Sequence, residues 1–254
     1  MTQLELCFAP NGAGRTLLAQ RRSAYPYSIT APIARPNGTA SLTLQSISGG
    51  LYGGEQVAQH IRLRAGARAR LVQPAATTVR RKVEAGPARQ SIKLEVQAGA
   101  SLIYEARPLI MLPGAALIQD WEIRLSPGAR VIVWDGFLSH SPHGEAPDWR
   151  LASRVSIRAP EGRLLAGERM NAQGMEHAPF TAFGKIWCLG LPPEQEGGQP
   201  SFSGQGCILA GFTRLPGETG FTLALAARNG GALSEAMAQT QAWLEQTCLK
   251  GDMI

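Results

Sequence analysis

The sequence predicts an all-β fold: a layered or partly helical stack of antiparallel and mixed β-sheets with one or two helices, one of them near the C-terminus. Three observations lead to this prediction. Polar and apolar residues alternate along most of the chain, turn signals rich in Gly and Pro separate the alternating segments, and the period changes to that of a helix only near the end. Alternation with a period of two is typical of strands that bury one face and expose the other.

Four segments show the alternation most clearly. Their apolar positions are Val57, Ile61 and Leu63 in residues 56–64, Ile92, Leu94 and Val96 in residues 91–97, Trp121, Ile123 and Leu125 in residues 120–125, and Val155 and Ile157 in residues 154–158. Turn signals such as Pro36-Asn37-Gly38 and Pro127-Gly128 stand between the segments. We therefore expect each segment to be a strand with one buried face.

A weak internal repeat connects three of these segments. Residues 61–74, 94–108 and 123–136 each read as strand, Gly-Ala or Pro-Gly-Ala turn, strand, with turn glycines at Gly66, Gly99 and Gly128. A recurring unit of this length is typical of stacked units that bury their apolar faces on their neighbours. We interpret the units as stacked hairpins, too irregular in their insertions for a strict solenoid.

The C-terminal region has a different period. From Ala232 to Leu249, residues recur at steps of three and four, which indicates an amphipathic helix docked on the β body. The residues on this stripe are Leu233, Met237, Thr240, Leu244 and Cys248, with Ala236 alongside. An exposed loop is expected at residues 192–200.

The length allows one large β domain or two small ones, and the loop at 192–200 is not expected to separate independent domains. The chain has 254 residues, of which 44% are hydrophobic and 17% charged, enough for a core without disulfides or a bound metal. We predict a single domain over residues 1–254, with the main β body at 1–190 and a loop, closing strands and the C-terminal helix at 191–254.

Charge and cysteine usage limit the function classes. The net charge is +6, and Arg accounts for 21 of the 25 basic residues. The basic runs lack the interleaved aromatic residues of a single-strand binder, so nucleic acid is not expected as a partner. No apolar run is long enough to span a bilayer, and no secretory signal is visible at the N-terminus. The four scattered cysteines, without a C-x-x-C pair, favour reduced thiols and a cytoplasmic location.

The search for catalytic motifs finds none: there is no nucleophile elbow, P-loop, dinucleotide fingerprint or H-E-x-x-H. The segment most similar to a site is 135–145, which holds Asp135, His140, His143 and Glu145. Imidazole and carboxylate together suit Ni²⁺ or Zn²⁺. A solvated loop, a transient metal contact and a catalytic site all remain open as interpretations of this segment.

The most distinctive local pattern lies earlier in the chain. Residues 48–55 contain two glycine pairs followed by Glu55, and residues 71–80 contain Gln-Pro-Ala-Ala ahead of Thr77 and Thr78. Paired glycines permit positive φ and close backbone approach. The small and hydroxyl residues leave room for a neighbouring backbone or for a narrow polar channel. From the residues alone, a structural turn and a channel are both possible.

These two segments resemble the signature of the UreD family of urease accessory proteins, also called UreH. In that family a G-G-x-x-G-G-[DE] turn precedes a strand reading Pro-Ala-Ala-Thr-x-Val-x-Arg. The central segment 107–136 and the C-terminal strand and helix are similar to the family as well. The family usually has Asp at the position of Glu55 and Lys at the position of Thr78.

The resemblance implies a function. UreD-type proteins form a helical stack of β-sheets with two helices, bind apo-urease and UreF, and are joined through UreF by the GTPase UreG. Nickel is thought to pass through a polar passage in UreD to the urease active site. By motif position, Glu55, Thr77 and Thr78 are candidates to line this passage, or to contact a partner, together with Asp135 and Glu145.

On this interpretation the chain is a non-catalytic chaperone, with no tightly bound cofactor and only transient nickel. Two alternatives remain. One is a small metal-dependent hydrolase that uses His140, His143 and Glu145, and the other is a β-sheet interaction module, such as a lectin, unrelated to urease.

Overall fold

The computed structural model describes residues 1–192, 200, 202 and 207–247. This described part contains nineteen strands and one helix. In chain order they are β1 (Leu4–Pro10), β2 (Thr16–Ser23), β3 (Tyr27–Ile29), β4 (Ile33–Ala34), β5 (Ala40–Ser46), β6 (Leu51–Tyr52), β7 (Gln56–Leu63), β8 (Arg68–Val72), β9 (Thr78–Arg80), β10 (Ala88–Val96), β11 (Ser101–Glu105), β12 (Leu109–Met111), β13 (Ala116–Leu125), β14 (Arg130–Ser139), β15 (Arg150–Arg158), β16 (Leu164–Gln173), β17 (Ala182–Leu189), β18 (Ile208–Arg214), β19 (Gly220–Ala227) and α1 (Gly230–Thr247).

Most of the strands stack in parallel register. Within the described residues, a seven-stranded sheet has the order β16-β15-β13-β10-β7-β1-β2, and its five central strands are parallel. A twelve-stranded sheet follows the path β18-β19-β17-β14-β11-β8-β5-β3, with β5, β8, β11 and β14 parallel. Four short strands of the same sheet lie off this path. Strands β6, β9 and β12 form a narrow ladder that joins the C-terminal end of β14, and β4 pairs with β5. The predicted all-β fold with mixed sheets is confirmed.

The hairpin interpretation of the repeat is wrong. Strand β7 pairs with β1 and β10, whereas β8 pairs with β5 and β11, so the two strands of one unit lie in different sheets. The turn at Gly66, with φ of 72°, carries the chain across to the opposite sheet, and Gly99 and Gly128 repeat this conformation. Because a left-handed φ suits glycine, the sequence shows a turn here without showing where the next strand goes. The units therefore stack as coils of a solenoid-like arrangement.

The predicted strand faces are confirmed, and they form the main core between the two large sheets. Ile61, Leu94 and Ile123 are all fully buried there. A second core lies between the outer face of the twelve-stranded sheet and α1. The helix buries Leu233, Ala236, Met237, Thr240 and Leu244, as its period predicts.

Two expectations fall outside the described residues. Cys248 lies beyond the described end of α1, and most of the loop expected at 192–200 is not described. In the described part, β19 pairs with β17 and β18 pairs with β19, so strands from both sides of that loop share one sheet. No helix in the described part is long and apolar enough to cross a membrane.

Candidate functional site

A line of polar side chains crosses the otherwise apolar interior between the two large sheets. We call it the polar track. Its members are Tyr27, Gln59, Gln90, Tyr104, Gln119, Asp135, Ser153, Glu168 and Lys185.

The parallel register brings the middle of the track together. Gln90 on β10 lies opposite Gln119 on β13, which lies opposite Ser153 on β15. Gln119 Nε2 donates to Gln90 Oε1 at 3.1 Å, and Ser153 Oγ donates to Gln119 Oε1 at 3.1 Å. Gln119 is only 3% exposed. Neutral amides at equivalent positions of successive coils therefore form a hydrogen-bonded ladder perpendicular to the strands.

A tyrosine pair lies beside one end of this ladder. Tyr104 Oη donates to Gln59 Oε1 at 2.8 Å, and Tyr104 packs edge-on against Trp121. Burial raises the pKa of both Tyr27 and Tyr104, although the amide of Gln59 opposes the rise, so both phenols stay neutral. Gln59 thus faces both phenols, and it ties the tyrosine pair to the polar track.

Asp135 carries the negative charge nearest the middle of the track. Gln119 Nε2 donates to Asp135 Oδ1 at 3.4 Å. Burial raises the pKa of Asp135 to about 6, against the opposing effects of the Gly136 backbone and Gln119. At neutral pH the group is therefore mainly ionised, in an environment that favours its neutral form.

The far end of the track holds an ion pair. Lys185 on β17 lies directly across from Asp135 in the strand register, and its ammonium group bonds Glu168 on β16. The Lys185 and Glu168 side chains are 23% and 36% exposed, so the track reaches solvent here. Lys185 Nζ also lies 4.7 Å from the ring centroid of Trp187.

The other end of the track meets a hollow of about 310 Å³, which we call the Thr78 hollow. Its lining includes Tyr27, Gln90, Thr77 and Thr78, so it opens onto the amide ladder. The glycine pair of the motif makes the close approach possible: a Cβ on Gly50 would lie 2.4 Å from Thr78 Oγ1. Thr78 Oγ1 donates to the Gly49 carbonyl at 3.0 Å. The structure thus brings Thr77 and Thr78 together at one mouth of the track.

Glu55 lies apart from this hollow and does not contribute to its lining. Its Oε2 accepts a hydrogen bond from the Tyr52 backbone at 2.9 Å, and its own N–H donates to the Tyr52 carbonyl. These reciprocal bonds close the turn that contains Gly53 and Gly54. In this structure Glu55 stabilises the turn.

The loop at 140–149 carries the remaining predicted residues. His140 and His143 are exposed, and the His143 backbone donates to Glu145 Oε2 at 3.1 Å. The pKa of the Glu145 carboxyl lies below its usual value because the carboxylate accepts hydrogen bonds from the backbone N–H of Glu145 itself and from that of His143. Glu145 borders an open hollow that also touches Met175 and His177. In the part of the chain that is described, no three His, Cys, Asp or Glu side chains converge as metal ligands.

Gln59, Gln90 and Gln119 form the centre of the track and were not predicted from the sequence. A signal was present: Gln59, Gln90 and Gln119 recur at spacings of 31 and 29 residues, close to the period of the turn glycines. Each interrupts an apolar face at an inward position. A single glutamine of this kind resembles a surface residue, but glutamines that recur with the repeat indicate an internal polar ladder. Gln90 lies opposite Gln119, while Gln59 lies two residues further along β7 than the partner of Gln90.

The chemistry of the track suits the passage of a cation. Carboxylate, amide and hydroxyl oxygens bind divalent ions without the strong hold of clustered thiolates or imidazoles. The described cysteines, Cys7, Cys188 and Cys207, all lie outside the track. The track therefore offers a row of oxygen atoms. Among the described residues, no cluster of His, Cys, Asp or Glu side chains encloses a metal site.

Comparison with known proteins identifies the family. The model of the family described as UreD urease accessory protein matches residues 1–253. A protein named urease accessory protein UreD 1 from Methylorubrum extorquens is 37% identical over 92% of this chain and 84% of its own length. Proteins of that name from Methylorubrum populi and a Bradyrhizobium species are 36% and 33% identical, over 92% and 89% of this chain and 84% of their own lengths. The chain belongs to the UreD urease accessory protein family.

Proposed function

We propose that this chain is a non-catalytic urease maturation chaperone that binds apo-urease together with UreF- and UreG-type proteins and passes Ni²⁺ along the polar track. The observation that carries the proposal is the track itself: hydrogen-bonded amides, hydroxyls and a carboxylate that lead from the Thr78 hollow to the Glu168–Lys185 end. Packing alone does not account for an interior line of this kind, because apolar residues would fill the same space without the desolvation penalty.

Cation passage explains why these particular side chain types line the interior. A transferred ion must be bound well enough to enter and weakly enough to leave. A site of micromolar affinity already holds an ion by about 8 kcal/mol, so each contact has to stay weak. Neutral amide oxygens meet this requirement, and Asp135 supplies one negative charge to offset the cost of moving a divalent ion through a low-dielectric interior.

Complex formation agrees with the surface of the molecule. The chain is basic and rich in Arg, a residue enriched at protein interfaces. We also assign the chain to the cytoplasm, where cysteines scattered without a C-x-x-C pair are expected to stay reduced. We place the chemistry of GTP and urea on the partners, and we expect this chain alone to turn over neither.

The experiment is co-expression with urease and its other accessory proteins, using Gln119→Leu and Thr78→Leu. Leucine at Gln119 breaks the amide ladder, and leucine at Thr78 narrows the Thr78 hollow. We expect pull-down of UreF-type protein and apo-urease to stay normal, because Gln119 is buried and Thr78 lies on the wall of the hollow. Nickel per urease should fall at least about fivefold, the range expected for loss of a buried hydrogen-bonded contact.

The matched control is Gln20→Leu, the same chemical change on the exposed edge strand β2. It should leave both complex and nickel content unchanged. Normal nickel content with Gln119→Leu and Thr78→Leu in intact complexes would refute passage along this line. If the wild-type chain recovers neither the UreF-type protein nor apo-urease in the pull-down, the chaperone assignment itself is refuted.

A further inference from the structure

The ion pair at the far end of the polar track places a fixed positive charge where a travelling cation has to leave. Lys185 extends from the twelve-stranded sheet and bonds Glu168 of the seven-stranded sheet, so it bridges the space between the sheets. Its charge also lowers the pKa of Asp135 against the larger effect of burial. One ammonium group thus neutralises part of the charge of two carboxylates.

Building on the function proposed above, we propose that Lys185 is a tethered cation that gates the polar track and makes it selective for divalent ions. In the resting protein the ammonium occupies the exit between Asp135 and Glu168. A passing ion takes its place, and the ammonium withdraws along the face of Trp187, which already contacts it at 4.7 Å. Aromatic faces attract ammonium groups, so the withdrawn position is stabilised.

Charge accounts for the selectivity. The attraction of an ion to a carboxylate is proportional to the charge of the ion, so Ni²⁺ interacts with Asp135 and Glu168 twice as strongly as the ammonium does. Monovalent ions have no such advantage. They also compete with a group whose tether keeps it at an effective concentration in the millimolar range or higher. The gate therefore yields to divalent ions in preference to sodium and potassium.

The gate also explains how the exit keeps a low affinity for the ion. Two carboxylates without a counter-ion would hold a divalent ion strongly and delay its release. With Lys185 ready to return, departure of the ion is coupled to restoration of the ion pair. Lys185 acts through Glu168 and Asp135, and its role is to control affinity.

The test measures binding of NiCl₂ to the purified chain by calorimetry in potassium-containing buffer. Lys185→Met removes the charge and keeps the length of the side chain, and we expect its Kd for Ni²⁺ to fall about tenfold because an internal competitor is lost. Lys185→Arg keeps a charge and should retain the wild-type affinity. The double variant Lys185→Met, Glu168→Gln should lose the gain.

The matched control is Lys93→Met. Lys93 forms a Lys–Glu ion pair with Glu95 at 2.6 Å on the outward face of β10, opposite to the face that carries Gln90. A gain of affinity in Lys93→Met equal to that in Lys185→Met, or no gain in Lys185→Met, would overturn the gate. If Lys185→Met binds nickel no better while Gln119→Leu still lowers nickel in urease, the passage stands and the gate falls. If Gln119→Leu and Thr78→Leu leave nickel delivery intact, the gate falls together with the passage.

Discussion

The carboxyl group of Asp135 lies in an interior that favours its neutral form. Burial raises its pKa from 3.8 to about 6, which means that the folded protein binds this proton more tightly than the unfolded chain does. Stability from this group is fully present below pH 4 and is lost as the pH rises through 6. Above that pH the ionised carboxylate destabilises the fold by up to about 3 kcal/mol.

We therefore expect Asp135→Asn to be more stable than the wild type at pH 7.5 and less able to pass nickel. The difference in the free energy of unfolding should reach up to about 3 kcal/mol at pH 7.5 and shrink between pH 6 and pH 4, where the wild-type group becomes neutral. Urea denaturation at several pH values measures it.

Asp120→Asn is the control for this prediction. Asp120 lies on β13 as Gln119 does but faces outward, where its Oδ1 accepts a hydrogen bond from Arg154 Nε at 2.7 Å. An exposed pair of this kind contributes about 1 kcal/mol or less, so the control should be neutral or slightly destabilised at pH 7.5. Equal stabilisation by both substitutions would contradict the assignment to Asp135.

At the scale of single residues, the sequence predicted which residues belong to the motif but not which of them border the hollow. Thr77, Thr78 and Asp135 were proposed through motif position; in the structure the two threonines border the Thr78 hollow, and Asp135 accepts a hydrogen bond from Gln119. Glu55 belonged to the same motif, yet its carboxylate closes the turn that precedes β7. A motif records neighbours along the chain, whereas the lining of a hollow depends on side-chain direction after folding.

At the scale of elements, the strands and the helix were predictable because each has a local period. The partners of the strands were not. A turn glycine such as Gly66 looks the same whether the chain returns antiparallel or crosses to another sheet, and parallel pairing joins residues about one repeat apart. The track depends on that pairing, since Gln90 and Gln119 meet only through parallel register.

The helix α1 provides the prediction at this scale. Leu233 is fully buried in the second core, and its side chain approaches Gly184 of β17 so closely that a Cβ there would lie 3.0 Å from Leu233 Cδ1. We expect Leu233→Ala to lower the free energy of unfolding by about 3 kcal/mol, through lost burial and the cavity left behind. Urea denaturation provides the measurement.

Ser234→Ala, on the exposed side of the same helical turn, is the control and should change stability by less than about 0.5 kcal/mol. A loss of less than about 1 kcal/mol for Leu233→Ala would show that the second core contributes little to the fold.

At the scale of the whole molecule, the two cores share the twelve-stranded sheet. Strand β14 directs Val133 into the main core and Trp134 into the second core. Strand β17 likewise buries Trp187 on one side and Ile186 on the other. Loss of either core therefore exposes one face of strands that the other core needs.

This shared sheet predicts one cooperative unfolding transition for residues 1–254, despite the boundary expected near residue 190. Circular dichroism at 222 nm includes the signal of α1 together with that of the strands, while fluorescence of a Trp243→Phe variant reports on the four tryptophans before residue 190. We expect both signals to give the same urea midpoint and the same dependence on denaturant, because melting of α1 alone would expose the buried faces of β17 and β19. Wild-type protein followed by dichroism serves as the control for the Trp243 substitution. A helix signal lost at lower urea than the fluorescence change would instead show that the C-terminal section unfolds independently, as a separate domain would.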